Sequence, residues 1–271
     1  LSPPSLSETN KVTDPTFRQS IMGWCFKPMD ALTLARHAKR IGYSALEGID
    51  RSAYPEVRKM GLEISLVSSH GFRQGPVNPE NHAMVEAKLV EAIDVAVQNG
   101  APNVITFTGM REKGIQDETA TANCLRCWKR VLPYAESKGI TLVLEHLNSV
   151  DDSHPMKGHP GYFGDDVHRC VDMVRSMDSR NFRLLFDIYH VQVMHGDLIR
   201  HIRLYHDFVG HYHTAGNPGR GELDETQEIN YPAVITEIRR TGFDGFLAQE
   251  FIPTAENPMA SLKHAFQICQ G

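Results

Sequence analysis

Eight short apolar segments recur along this chain, each followed by an amphipathic stretch, and that alternation constrains the fold more than any other feature. The segments read QSIMGWCF, SALEGI, LEISLVSSH, NVITFTG, ITLVLEH, FRLLFDI, GHYHTA and GFLAQEF. Helical patterns lie between and after them, from DALTLARHAKRIG through ENHAMVEAKLVEAIDVAVQNG and ETATANCLRCWKRVLPYAESKG to NPMASLKHAFQIC. Several end in glycine (Gly42, Gly61, Gly100, Gly139, Gly242), the residue that closes a helix in the left-handed conformation. Strands this short and this apolar suit a parallel sheet covered by helices. Eight consecutive β–α pairs predict an α/β fold, a single (β/α)8 TIM barrel over residues 17–271. A doubly wound sheet is the alternative, weakened because no GxGxxG follows the first strand. The polar, proline-bearing residues 1–16 predict a mobile extension.

Composition excludes several classes. A length of 271 residues matches one such barrel, which needs about 250. The net charge of −5 provides no basic field for nucleic acid. No apolar run approaches the roughly 20 residues of a membrane-spanning helix. A cytoplasmic enzyme is expected, with a removed export signal still compatible with a chain beginning at Leu1, and a homo-oligomer is compatible with the same features. Five sparse cysteines do not suggest a disulfide framework, and the CxxC of Cys124 and Cys127 lies in a helical pattern that predicts ordinary helix packing.

Chemistry concentrates at four strand ends. TLVLEH ends near Glu145, FRLLFDI near Asp187, HYHTAG holds His213 and FLAQEF holds Glu250, at separations of 42, 26 and 37 residues. In a barrel the C-terminal strand ends meet at one mouth, so these four become neighbours. One such carboxylate alone is ordinarily a helix cap or loop anchor, whereas four together predict a site. Three carboxylates and one imidazole suit one divalent ion, Mn²⁺ or Mg²⁺ first, with Co²⁺ or Zn²⁺ accommodated. Glu145 and Glu250 can also exchange protons with a small hydroxy-carbonyl substrate.

Other candidates surround this set. His190, three residues past Asp187, is expected to run into the following loop and meet a substrate hydroxyl. His211 and His213 share a strand face, with His213 the better ligand and His211 deeper. Arg220, in the loop GNPGRGELD, can reach an anionic or hydroxylated substrate. The loops after strands three to five add His70, Arg73, Arg111, Asn148, Lys157 and His159 as candidate contacts, and Trp24 as an apolar wall or a packing residue.

The segments NVITFTG, VLPYAESKGITLVLEHLNS, LLFDIYHVQVMHGDLIRHI, GHYHTAGNPGRGELDETQEINYPA and GFLAQEFIP resemble the hydroxypyruvate isomerase family, within the xylose-isomerase-like TIM barrels. The resemblance runs from Phe17 to the C-terminus and is densest from Val104 to Pro253. It implies one divalent metal on Glu145, Asp187, His213 and Glu250, an acid–base pair of Glu145 and Glu250, and substrate contacts from His190 and Arg220. The implied reaction interconverts hydroxypyruvate and tartronate semialdehyde, or a close sugar analogue, through a metal-bound enediolate. Hydroxypyruvate isomerases can carry glutamine on strand seven, where this chain has His213 as ketose 3-epimerases do. A ketose 3-epimerase or an inosose-type dehydratase on the same site is therefore the alternative. An apurinic endonuclease would call for a basic surface, against the charge of −5, and a non-catalytic sugar-binding barrel would not need both glutamates.

Overall fold

The computed structural model describes residues 17–270, so the extension expected over residues 1–16 lies outside the described residues. In chain order, β1 (Arg18–Met22) leads to α1 (Ala31–Ile41), β2 (Ala45–Glu47) to α2 (Tyr54–Lys59), and the adjacent β3 (Glu63–Ile64) and β4 (Leu66–Val67) to α3 (His82–Asn99). Then β5 (Asn103–Thr106) precedes α4 (Asp117–Lys138), β6 (Thr141–Glu145) precedes α5 (Val167–Met177), and β7 (Phe182–Asp187) precedes α6 (Ile188–Met194) and α7 (Leu198–Tyr205). Finally β8 (Val209–Thr214) precedes α8 (Tyr231–Arg240), and β9 (Phe246–Gln249) precedes α9 (Pro258–Gln270).

All strand pairings are parallel, in the order β3-β2-β1-β9-β8-β7-β6-β5-β4. The two ends of that order, β3 and β4, are separated only by Ser65, so the chain itself closes the ring. This corrects the expected single third strand. LEISLVSSH breaks at Ser65, one piece pairing with β2 and the other with β5. The fold is a TIM barrel whose third strand is split.

Local sequence explains the helix boundaries. Asp30 caps α1 by accepting from the backbone N–H groups of Leu32 and Thr33, and Asp166 caps α5 through His168 and Arg169. Gly42, Gly100 and Gly139 close α1, α3 and α4 in the left-handed conformation, as the glycine spacing predicts. Most of the core lies between sheet and helices, and a smaller cluster that includes Leu66, Ile105, Val143 and Leu185 packs separately. Cys124 and Cys127 are buried in α4 as free thiols, in keeping with helix packing.

Trp128 joins α4 to the barrel. Its ring lies 5.1 Å from that of Phe182 on β7, and its Nε1 donates to Thr106 Oγ1 on β5 at 3.0 Å. Trp128→Ala removes the largest fully buried side chain and leaves a cavity. The expected loss is about 3–5 kcal/mol in urea unfolding, and a loss below about 1 kcal/mol would contradict this packing account.

Candidate metal centre at the barrel mouth

Strand register brings the four expected ligands together. Asp187 on β7 is the direct partner of His213 on β8, while Glu145 on β6 is level with Leu185, two residues before Asp187. Ala248 on β9 pairs with His213, and Glu250 follows two residues later with its N–H on Thr214 O at 2.9 Å. Because successive side chains alternate between faces, Glu145, Asp187, His213 and Glu250 fall on the same side of the sheet. They are all buried, and one ligand atom from each lies within 4.8 Å of every other.

His213 is the hub. Its Nδ1 sits 3.1 Å from Glu145 Oε1, 2.7 Å from Glu250 Oε2 and 3.9 Å from Asp187 Oδ2. Burial by itself disfavours the imidazolium, but Glu250, Glu145 and Glu47 outweigh it and raise the His213 pKa well above its ordinary value. Burial raises the carboxyls of Glu145 and Asp187. Glu250 goes the other way: burial opposes ionisation, yet the Arg220 guanidinium and His213 hold it ionised.

These residues fit a divalent ion. The donor set is three carboxylates and one imidazole, and Nδ1 of His213 faces the same point as the carboxylates. Glu250 Oε2 lies close to two cations but makes no aligned hydrogen bond, leaving lone pairs directed into the cluster.

Arg220 is buried rather than solvated. Its Nη2 lies 2.7 Å from Glu250 Oε2 and 3.5 Å from Asp187 Oδ2, and its Nη1 donates to Met156 O. The guanidinium carbon is 5.5 Å from the Trp24 ring centre and 5.7 Å from that of Tyr189. The backbone of Arg220 has φ 56°, a left-handed conformation unfavourable for a residue with a Cβ, and Ile252 N–H on its carbonyl at 2.7 Å holds it there. Nε of Arg220 is buried without a hydrogen-bond partner.

His190 sits on the first turn of α6, a correction to the loop expected after Asp187. Asp187 caps that helix, its Oδ1 accepting from His190 N–H at 3.0 Å while Oδ2 turns toward His213. Asn148 donates to His190 Nδ1 from both backbone N–H and side-chain Nδ2, at 3.1 and 2.7 Å. Nδ1 is therefore the acceptor and Nε2 carries the proton. That Nε2 is buried without a hydrogen-bond partner, 3.6 Å from Asp187 Oδ2, and burial keeps the ring neutral.

The remaining candidates are engaged elsewhere. Asn148 spends its amide on His190 Nδ1 and Lys157 O and its Oδ1 on Asp151 N–H. His70 bridges Gln74 O and Thr106 Oγ1. Arg111 pairs with Asp117 and Asp165 at 2.7 and 3.2 Å. His159 packs at 4.1 Å against Phe72, which lies beneath Arg73. Two cavities flank the rim, one of about 660 Å³ along Trp24, Lys27 and Asp50, the other of about 250 Å³ along Phe72, Arg73 and His159.

Glu47 went unmarked in the sequence. It ends β2, is fully buried, and approaches both His211 and His213. SALEGI meets the criterion that singled out the four ligands, an acidic residue at the C-terminal end of an apolar strand.

The sequence pattern of the xylose isomerase-like TIM barrel family matches residues 35–268, and the chain belongs to that family. Among curated relatives, a Drosophila melanogaster protein provisionally named hydroxypyruvate isomerase is 25% identical over 233 residues, 80% of this chain and 84% of that protein. The 2-oxo-tetronate isomerase of Cupriavidus necator is 30% identical over 181 residues, 65% of each chain. The names these relatives carry are those of isomerases. An AP endonuclease of family 2 from Brucella melitensis superposes with a TM-score of 0.80 at 22% identity, covering 92% of this chain and 96% of that one. An L-ribulose 3-epimerase superposes at 0.76 and 16% identity, covering 93% and 92%; these likenesses show the fold. No helix among the described residues is long and apolar enough to cross a membrane.

The protons held at the site set a pH dependence for the metal-free protein. A group whose pKa is raised by folding stabilises below its unfolded pKa, and that contribution is lost as pH rises through the folded value. His213, Glu145 and Asp187 are all raised. Glu250 is depressed, so its contribution is lost only in acid and stays constant above neutrality. In chelator, the thermal midpoint should fall from pH 7 to 8.5, after unfolded histidines have mostly lost their protons at about 6.5. Saturating Mn²⁺ should abolish or reverse the fall, because the ion takes the place of protons. The same slope with and without Mn²⁺ would contradict this account.

Proposed function

We propose that this chain is a divalent-metal-dependent isomerase of a small hydroxy-carbonyl acid, interconverting hydroxypyruvate and tartronate semialdehyde or a close sugar-like analogue. The observation that carries the reading is the convergence of Glu145, Asp187, His213 and Glu250 within 4.8 Å, with Arg220 against Glu250. The names of the relatives, hydroxypyruvate isomerase and 2-oxo-tetronate isomerase, support a short oxo-acid substrate.

A divalent ion held by Glu145, Asp187, His213 and Glu250, Mn²⁺ or Mg²⁺ by donor type, would polarise the substrate carbonyl and acidify the adjoining C–H. Glu250, beside the Arg220 guanidinium at 2.7 Å, takes the proton from the hydroxymethyl carbon. Glu145 returns a proton to the former carbonyl carbon of the resulting enediolate, while the hydroxyl proton of the former hydroxymethyl group passes to the former carbonyl oxygen. His190 presents its Nε2–H to a substrate oxygen, with Asn148 fixing the ring. Arg220 offers its unpartnered Nε to the substrate carboxylate, while Trp24 and Tyr189 flank the guanidinium.

His213 supports a second reading, a ketose 3-epimerase, in which the same two glutamates work on opposite faces of one carbon. A neutral ketose would offer Arg220 no carboxylate.

At saturating metal, Glu145→Gln and Glu250→Gln should each lower kcat by about 10²-fold or more while the protein still folds, since an amide cannot accept and return a proton. Full activity in both variants would remove the proton-transfer assignment. Arg220→Lys should raise KM for hydroxypyruvate much more than it raises that for any neutral ketose, because lysine has no counterpart of the Nε–H offered to the carboxylate. Should wild type act only on neutral ketoses, the hydroxypyruvate reading falls and the epimerase reading replaces it.

A further inference from the structure

The mechanism above leaves one fully buried acid unused. Glu47 accepts from His213 Nε2 at 2.8 Å through Oε1 and from Ser65 Oγ at 2.5 Å through Oε2. Its Oε2 also lies 3.0 Å from His211 Nε2. Ser20 Oγ is 2.6 Å from Ser65 Oγ, and since Ser65 gives its proton to Glu47, Ser20 donates to Ser65. Asn103 Nδ2 is 3.4 Å from His211 Nδ1, and an amide nitrogen only donates. His211 therefore carries its proton on Nε2, which lies beside Glu47 Oε2 without an aligned hydrogen bond. Ser20, Glu47, Ser65, His211 and His213 are all 0% exposed, so bulk water does not supply a substitute acceptor.

Three donors thus converge on Glu47 from two other places: His211 and His213 on β8, and the hydroxyl of Ser65 in the break between β3 and β4. Each brings a protonated atom within 3.0 Å of the carboxylate, His213 and Ser65 in aligned hydrogen bonds and His211 without one. For His213 this fixes which nitrogen stays protonated. Nε2 keeps its hydrogen on Glu47, and Nδ1 is the nitrogen turned to Glu145, Asp187 and Glu250.

We propose that Glu47 is a positioning residue that holds His213 as the Nε2–H tautomer, leaving Nδ1 as the lone pair that binds the divalent ion. The inference rests on the metal-site reading given above. A carboxylate behind a ligating imidazole orients the ring and raises its basicity. Glutamine at position 47 has one oxygen and one NH₂ for three donors. Its NH₂ would meet an N–H or O–H head on, so either His213 moves its proton to Nδ1, where the ion must bind, or a buried donor loses its acceptor.

The test titrates chelator-stripped wild type, Glu47→Gln and Ser65→Ala with MnCl₂ by calorimetry, after circular dichroism establishes that each is folded. Glu47→Gln should bind Mn²⁺ about 10–100-fold more weakly. Ser65→Ala, which removes a neighbour of Glu47 without touching His213, should bind close to wild type. A second readout uses Zn²⁺-loaded wild type, whose long-range ¹H–¹⁵N spectrum should show His213 protonated at Nε2. Equal affinity in folded Glu47→Gln, an equal loss in Ser65→Ala, or a His213 proton on Nδ1 would each overturn the proposal. The spectrum decides the matter even if Glu47→Gln does not fold. Wild type that binds no Mn²⁺ would instead overturn the metal-site reading itself, and this inference with it.

Discussion

Three carboxylates crowd one imidazole in a buried barrel mouth, and most other features of the site respond to that concentration of negative charge. Burying an unpaired carboxylate is costly, and several together repel one another. The metal-free protein offsets the charge with a proton on His213, protons favoured on Glu145 and Asp187, and the guanidinium of Arg220 against Glu250. An ion bound among the same donors would supply the positive charge that these protons supply in its absence. The strained backbone of Arg220 belongs to the same balance, because it delivers a cation into a place where a flexible surface arginine would stay in water.

Barrel geometry makes the crowding reproducible. Parallel register sets Asp187 beside His213, and the two-residue pleat sends Glu145, Asp187, His213 and Glu250 to one side. Asp187 then serves two elements at once, capping α6 with one oxygen and facing the cluster with the other. That cap starts the helix turn carrying His190, so one side chain sets both a member of the carboxylate cluster and the histidine beside it. Asn148 completes the arrangement by occupying His190 Nδ1, which leaves Nε2 as the donor.

Much of this was legible in the sequence, for a physical reason. A barrel converts strand ends into neighbours, so reading acids and a histidine at the ends of apolar runs locates the cluster without any knowledge of distances. The split of the third strand was hidden because LEISLVSSH is continuously strand-like, and only pairing with two different neighbours breaks it at Ser65. Helix α6 was hidden because its seven residues follow Asp187 without a gap. Arg220 was legible as a residue reaching the mouth from its glycine-flanked loop, but its burial depends on Met156, Trp24 and Tyr189, which come from other loops or elements. Arg111 and Asn148 were candidates on position alone, and their actual partners are set by tertiary contacts that no local pattern encodes. Glu47 is different: the same strand-end criterion would have found it.

The central claim is that this mouth moves a proton between adjacent substrate carbons and needs a divalent ion to do so. The most direct measurement incubates wild type with hydroxypyruvate in D₂O, once after exhaustive chelation and once with Mn²⁺ restored, and follows deuterium in the recovered substrate and product by NMR. The account predicts deuterium at the hydroxymethyl carbon and in the tartronate semialdehyde only when Mn²⁺ is present. Equal exchange in the chelated and metal-restored samples, or product formed with no exchange beside inert substrate, would contradict it.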